Sequence, residues 1–335
     1  MIIFCILILL CMASAATAQI SPTCSIKAET RIGYHYRSID GDCQDEETGF
    51  KGDYLNLLID GTLAPNFSYS WKHRLNKMNA DKAFFDATDW LELRYQPSPH
   101  WELSGGKQVV AIGGMEYERS PIDVYIGSEY WNQINCFLFG GSIAYLKGGH
   151  KWMFQFSESP FFQVNQRDLY SYNFMWIGRF SHMQTFYSVN MLEYAPRRYI
   201  NYLALGHCIQ AGPIALEIDW MNRASDHQTF LLRDCSLIAN LDYRCTKKLN
   251  LMAKMSYDVN RTHSVADHCV LPGTELTTVS AGMEYFPSVG SQYVRLHGLV
   301  GYTTGTNSNP DGALQHKQLR VSVGLTWRME LLKTN

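Results

Sequence analysis

The sequence feature that most constrains the fold is a long alternation of polar and apolar residues, which recurs along most of the chain. It is clearest over residues 26–37, where isoleucine, alanine, threonine and tyrosine alternate with lysine, glutamate, arginine and histidine. Side chains of a strand point to opposite faces in turn, so this pattern predicts a sheet with one apolar and one polar face. A soluble strand has about five to six residues, whereas a membrane-spanning strand needs about 9–11, and the length here favours the membrane.

The connections between these segments show a second regularity, because short turns alternate with longer loops along the chain. Short turns are expected after every second strand, at residues 64–66, 96–100, 147–150, 181–182, 211–213 and 287–290. Such parity is the plan of a transmembrane barrel. We therefore predict an all-β, transmembrane antiparallel up-and-down β-barrel of about 16 strands, with both termini on the periplasmic side. The longest loop, over residues 111–133, would be the third extracellular loop.

Composition agrees with this interpretation. Of 335 residues, 46% are apolar and 18% are charged, and the 20 tyrosines and 8 tryptophans suit the aromatic girdles of a barrel at the two membrane interfaces. An aromatic-rich soluble β-sandwich is the alternative. The formal net charge of −2 gives no electrostatic basis for a nucleic-acid partner.

The N-terminal segment has the pattern of a secretory signal. Residues 1–12 are almost entirely apolar and are followed by small residues up to Ala18, although no lysine or arginine precedes the apolar run. We predict a signal peptide over residues 1–18 and a barrel over residues 19–335. No other stretch holds about 18 consecutive apolar residues, so no transmembrane helix is predicted.

Motifs for catalysis or metal binding are absent from the sequence. Seven cysteines lie outside the signal segment, an odd number at scattered spacings without a C-x-x-C pair. There is no G-x-S-x-G elbow, phosphate-binding loop or H-E-x-x-H motif. We predict no catalytic residue, metal or cofactor. A barrel enzyme and a single disulfide between loops are left open.

Charged residues on the polar face are expected to line a water-filled lumen. Those of the first and last strands become neighbours when a barrel closes, and such a basic strip could guide anions. Charge pairing across the wall, for example between Glu29 and Arg320, is the equal alternative. The predicted basic pore-lining residues are Lys27, Arg31, Arg37, Lys72, Arg74, Arg94, Arg295, Arg320 and Arg328.

The longest loop is acidic. If it folds into the barrel, it would supply an acidic constriction opposite the basic wall and so a transverse field. In the alternative, residues 127–133 pack structurally, with Tyr130 and Trp131 as anchors. The predicted constriction residues are Glu116, Glu118, Arg119, Asp123 and Glu129.

Residues 89–95, the proline turn after them, residues 101–108 and the pair Gly113-Gly114 resemble a known family. They are similar to the region of the fourth and fifth strands in the phosphate-selective porin O and P family, especially its Bacteroidetes-type members. The resemblance implies a sixteen-stranded, trimeric diffusion channel in the bacterial outer membrane, and it places Lys107 in the lumen. Phosphate-selective members of the family carry dense basic clusters near the constriction, whereas this loop is acidic.

Together these features predict an outer-membrane porin, a passive channel without a cofactor. Its partners would be small hydrophilic or anionic solutes, the lipid bilayer and two further copies of the chain. A preference for anions or phosphate is the further expectation. The alternative from another class is a non-conducting surface β-barrel that binds a partner or stabilises the envelope.

Overall fold

The structure, a computed structural model, describes residues 22–77, 84–161, 168–224, 232–288, 293–306 and 317–334. The predicted signal peptide over residues 1–18 lies outside the described residues. Sixteen long strands make up the fold: β1 (Thr23–Ile39), β2 (Gly49–Ala64), β3 (Phe67–Arg74), β4 (Thr88–Ser98), β5 (Trp101–Val109), β6 (Phe137–Lys147), β7 (His150–Glu158), β8 (Tyr170–Arg179), β9 (Met183–Ala195), β10 (Arg198–Ala211), β11 (Ile214–Ala224), β12 (Asp234–Arg244), β13 (Leu249–Asn260), β14 (Glu275–Tyr285), β15 (Val294–Thr306) and β16 (Lys317–Lys333).

The strands form one closed antiparallel barrel. Each pairs with its neighbour in sequence, and β16 returns to pair with β1 over nearly its whole length, from Ser25 opposite Lys333 to Ile39 opposite Gln318. A two-residue strand, Asp42–Cys43, folds back on the end of β1. Closure leaves no open sheet edge. The predicted fold class, an all-β barrel of 16 strands, is confirmed.

The two faces of the wall are those of a barrel surrounded by lipid. In β8, Tyr172 and Phe174 are 40% and 49% exposed on the outer face, whereas Ser171 and Asn173, which alternate with them, are fully buried inside. A soluble sandwich would bury its apolar face between two sheets. The reversed burial excludes the sandwich alternative.

A continuous row of aromatic rings marks the outer face at the end of the barrel with the short turns. It crosses six neighbouring strands, β5 to β10, with successive ring centroids 5.1–5.9 Å apart. Such girdles lie at the membrane–water interface of barrels. The row consists of Trp101, Tyr145, Trp152, His150, Trp176, Tyr187 and His207.

Short and long connections alternate as predicted, with one exception. Strands β9 and β10 are joined by residues 196–197 alone, at the end where the long loops lie, and Arg197 adopts a positive φ of 61° to make the turn. Both strands extend further than the alternation of the sequence indicated, and this consumes the loop. The two strands therefore end in a tight hairpin where the alternation predicts a longer loop.

The longest connection, residues 110–136, joins β5 to β6 and contains helices α1 (Met115–Glu118) and α2 (Glu129–Gln133). A 3-10 turn, Pro121–Asp123, lies between them. Within the described ranges, no helix is both long and apolar enough to cross a membrane. All seven cysteines outside the signal segment are unbonded, so the structure contains no loop disulfide among them.

Candidate functional site: the loop-lined lumen

The connection over residues 110–136, called the inner loop below, lies inside the barrel. Side chains from strands all round the wall hydrogen-bond to it. Arg31 of β1 donates to two loop carbonyls at 3.0 and 2.9 Å, and Gln155 of β7 accepts from a loop N–H at 2.7 Å. Asp219 of β11 and Arg295 of β15 also bond to it. A segment that touches strands on opposite sides of a closed barrel can lie only within it.

Two wall aspartates hold the helices of the inner loop. Asp219 accepts hydrogen bonds from the N–H groups of Met115 and Glu116 at 2.6 and 2.8 Å, and Asp258 accepts from those of Glu129 and Tyr130 at 3.0 and 3.4 Å. The first N–H groups of a helix have no partner within the helix and carry its positive dipole end. Each carboxylate therefore satisfies the start of one helix.

Glycines allow the loop to approach the wall closely. Gly114, just before α1, has a φ of 115°, and a Cβ added to Gly206 of β10 would lie 2.7 Å from the Gly114 Cα. The contact requires that Gly206 has no side chain, whereas the positive φ of Gly114 is a backbone conformation that favours glycine. The position of α1 thus depends on backbone contact as well as on Asp219.

Glu116 ties the two loop helices together. Its side chain is 2% exposed and accepts hydrogen bonds from the N–H and hydroxyl of Ser128, at 3.1 and 2.6 Å, just before α2. The ammonium group of Lys254 on β13 completes the cluster. Instead of facing the lumen, this predicted constriction residue is a buried structural group.

The remaining loop charges mostly pair with charges of opposite sign on the wall. Asp123 contacts Arg295 at 2.6 Å and Arg328 at 2.7 Å. Arg119 contacts Glu217 at 2.7 Å and Asp242 at 3.0 Å. The loop is therefore fixed by charge pairs of both polarities, in contrast to the expected uncompensated acidic constriction.

Glu118 differs from the other loop acids. Glu118 is exposed to the lumen and forms no ion pair with any residue in the described part of the chain. The surrounding wall nevertheless strips away much of its water and raises the pKa of Glu118 to about 7, against the field of Lys151. A Glu129 oxygen accepts a hydrogen bond from the Gln133 amide at 3.3 Å.

Charge pairing also accounts for most predicted basic residues of the wall. Lys72, 1% exposed, lies 3.1 Å from Glu29 and donates to the Ser120 hydroxyl of the inner loop. The pairs elsewhere are Arg31 with Asp53, Arg37 with Glu47, Arg74 with Asp89, and Arg94 with Glu92. Lys27 is exposed on the inward-facing register of β1.

The predicted ion pair between Glu29 and Arg320 is wrong, because each residue lies beside a different partner. Glu29 contacts Lys72 and, at 3.4 Å, Arg328, which lies directly opposite it across the β1–β16 seam. Arg320 lies opposite Arg37 on the same seam. The antiparallel register of the closing strands decides these partners, and the sequence alone does not contain it.

Lys107 lies on the outer face and not in the lumen. It stands in register between Leu91 and Phe139, both of which are exposed on the lipid side. Its ammonium group reaches the Phe85 carbonyl near the rim. Glu102 and Ser104 point inward on the same strand, so strict alternation places residue 107 outside.

Two small chambers lie on either side of the inner loop. The outer chamber, about 160 Å³, is lined by charged groups of β1, β2 and β16, namely Arg31, Arg37, Lys51, Asp53 and Arg320, with Glu47 at its edge. The inner chamber, about 120 Å³, is lined by loop and wall groups that include Arg119, Asp123, Lys254, Glu284 and Arg295. A third, turn-side chamber of about 270 Å³ contains Glu118, Glu92, Arg94, Glu102 and Lys151.

Beside β9, β10 and β11 the barrel is filled by an apolar core. Wall residues Leu192, Ile200 and Tyr202 pack there with Tyr130 of the inner loop and Val270 of the connection between β13 and β14. Tyr130 is thus a structural anchor, as the alternative proposed, while the Trp131 ring lies over Gly127. Residues 199–205 are largely apolar on both faces of the strand. A strand with two apolar faces is typically buried on both sides, so this pattern indicates that the barrel interior is packed here.

A buried ion pair holds the second inward-folded connection, residues 261–274. Arg223 of β11 and Asp267 are both almost fully buried and in contact, and Arg223 also donates to Ser236 and the Val259 carbonyl. Asp267 further accepts from two N–H groups of its own loop. Within the described ranges, no three histidine, cysteine, aspartate or glutamate side chains are placed to share a metal ion.

A closed sixteen-stranded barrel with an apolar outer face, an aromatic girdle and an inward-folded loop is the fold of porin-like outer-membrane β-barrels. Solved structures agree. Outer-membrane expressed OmpT of Vibrio cholerae superposes with a TM-score of 0.62 at 12% identity, covering 94% of this chain and 100% of that chain. In-vitro folded OmpT in its trimer form gives 0.62 at 12%, covering 92% and 100%. A mutant of the porin of Rh. blastica gives 0.57 at 12%, covering 91% and 100%.

These identities establish the fold alone. No protein-family model matches the chain, and no curated protein matches it either. The resemblance to the phosphate-selective porin O and P family is thus supported at the level of an outer-membrane barrel.

Proposed function

We propose that this protein is a passive diffusion channel for small hydrophilic solutes in the bacterial outer membrane, working without a cofactor or a catalytic step. The observation that carries the proposal is the set of polar chambers inside a closed barrel whose outer face is apolar. Charged groups can stay hydrated in such chambers and act on passing ions. Neighbours of the same fold that are named as porins support it.

A weak preference for anions is part of the proposal. Four of the described cations, Arg31, Arg37, Lys51 and Arg320, line the outer chamber against Asp53 and Glu47, whereas the inner loop and its wall are largely neutralised by pairing. Anions would therefore be concentrated at the outer mouth and not at the loop. Phosphate would pass through the channel like other small anions, without a dedicated binding site.

We further propose that the channel is a homotrimer. The support is a neighbour of the same fold whose structure is described as a trimer form. A trimer would cover part of the apolar outer wall of each copy with the walls of the others.

A non-conducting surface barrel is the second candidate. The observation that favours it is the apolar core beside β9 to β11, which together with residues 261–274 fills that side of the interior. In this case the inward-folded connections would act as a plug. The barrel would then bind its partner or stabilise the envelope through its outer surface.

Conductance and reversal potential of the purified protein in a planar bilayer separate the two candidates. Stepwise conductance under a salt gradient, with a modest anion preference, is the expected result. Block by added phosphate would extend the proposal to phosphate binding. Absence of steps from folded protein would overturn the channel and favour the surface barrel.

A further inference from the structure

One segment of the inner loop, residues 124–126, separates the outer chamber from the inner chamber. Both chambers are lined by the same three side chains at their common boundary, Tyr125 and Ile126 of the loop and Leu299 of β15. Any solute that crosses from one to the other must pass this boundary. The side chains there decide how wide the passage is.

Tyr125 is held rigidly at the boundary. Its hydroxyl donates a hydrogen bond to Glu284 at 2.9 Å, and its ring lies 4.6 Å from the His297 ring. The guanidinium groups of Arg31 on β1 and Arg295 on β15, the strands on either side of β16, lie 5.3 and 5.7 Å from the ring centroid. An aromatic ring fixed by a hydrogen bond and two cations presents a constant obstacle.

Ile126 is seated in the wall beside it. A Cβ added to Gly301 of β15 would lie 2.2 Å from the Ile126 Cδ1, so the missing side chain of this glycine makes the room that Ile126 occupies. The Ile126 carbonyl also accepts a hydrogen bond from Lys254. Because Ile126 fills a recess, Tyr125 is the side chain of the pair that projects between the chambers.

Charges beside Tyr125 are already compensated. Arg31 lies 3.0 Å from Asp53, and Arg295 contacts both Asp123 at 2.6 Å and Glu284 at 3.0 Å. A passing ion therefore meets little net charge at this boundary. Discrimination there rests on the size of the solute and not on its sign.

We propose that Tyr125 sets the size limit for solutes that pass from the outer to the inner chamber. The solutes concerned are small polar molecules and ions of either sign. Tyr125 itself is uncharged, whereas the sequence pattern predicts charged loop residues at the constriction. The inference rests on the proposed channel function.

The test is single-channel conductance in the presence of polyethylene glycols of graded size. Tyr125→Ala should raise the conductance and shift the exclusion limit to larger polymers, whereas Tyr125→Trp should shift both the other way. Tyr125→Phe keeps the ring and removes only the bond to Glu284, so its limit should stay close to that of the wild type. Tyr34→Ala, which truncates a tyrosine exposed on the outer face, serves as the matched control.

The outcomes separate the inference from the function on which it depends. Unchanged conductance and exclusion limits in both the alanine and the tryptophan variants, with wild-type channels open, would overturn the role of Tyr125 and leave the channel standing. No conductance from any folded protein would overturn the channel itself. Heat-modifiable mobility in gels confirms that each variant is folded before it is measured.

Discussion

Asp219 and Asp258, two strands apart on the barrel wall, serve the inner loop in the same way. Each carboxylate accepts hydrogen bonds from the first two backbone N–H groups of one loop helix, Asp219 for α1 and Asp258 for α2. The two helices are only four and five residues long and could not persist alone in water. Their shape is therefore imposed by the wall.

Removing either carboxylate charge should loosen most the helix that it serves, and the other helix less, because Glu116 of α1 still holds Ser128 at the start of α2. Loss of a capping interaction costs about 1 kcal/mol, or about a fivefold change in a local opening equilibrium. Asp219→Asn should speed hydrogen exchange at Met115 and Glu116, and Asp258→Asn at Glu129 and Tyr130, so each variant is the control for the other. Equal acceleration at both helices in either variant would contradict the assignment of one carboxylate to each helix.

The buried pair of Arg223 and Asp267 should contribute to stability mainly by avoiding an unpaired charge. Asp267→Asn keeps an oxygen for the loop N–H groups but removes the direct ion-pair partner of the buried guanidinium, which then has only Asp258, reached through the Ser236 hydroxyl, and this should cost about 3–5 kcal/mol. Adding Arg223→Met should recover much of that loss. Denaturant unfolding in detergent measures both, and a double variant no more stable than the single one would refute the charge-based explanation.

Ion selectivity should depend on pH through Glu118, whose pKa is raised to about 7. Its carboxyl group is neutral below that pH and negative above it, so the relative permeability to cations should rise between about pH 6 and pH 8. Reversal potentials under a salt gradient report this change. Glu118→Gln should give a flat profile, and the same pH dependence in that variant would assign it to another group.

Lys107 and Arg320 should differ in their effect on selectivity although both carry one positive charge. Arg320 lines the outer chamber, while Lys107 stands among apolar residues of the outer face. Arg320→Gln should shift the reversal potential towards cations, and Lys107→Gln should leave it unchanged. A shift of equal size in both would show that residue 107 does act on the lumen.

The barrel itself could be predicted from the sequence because alternation and turn parity are local properties. Residues 26–37, for example, show a polar and an apolar face within a dozen positions. A series of such strands joined by short turns predicts the closed sheet that the structure has. At Lys107 the family resemblance and the alternation of the strand itself predict opposite faces, and the alternation is correct. Glu102 and Ser104 already fixed which face residue 107 must occupy.

The arrangement inside the barrel could not be predicted in this way. The partners of Asp123, Arg119 and Glu29 come from strands distant in sequence, and their distances depend on the stagger of the whole barrel. Tyr125 carries no charge and lies outside any alternating segment, so composition gave no reason to select it. Most of the charged residues that the sequence indicates for the lumen hold the inner loop against the wall.

The seam between β1 and β16 has a consequence for how the protein is made. Backbone contacts there join Cys24 to Thr334, so the wall is complete only when almost the entire chain is present. Until then β1 and the most recent strand are unpaired edges, and unpaired edges are templates for aggregation. A chain that stops before β16 should therefore aggregate unless a chaperone covers its two open edges, and pairing of the final strand removes both edges at once.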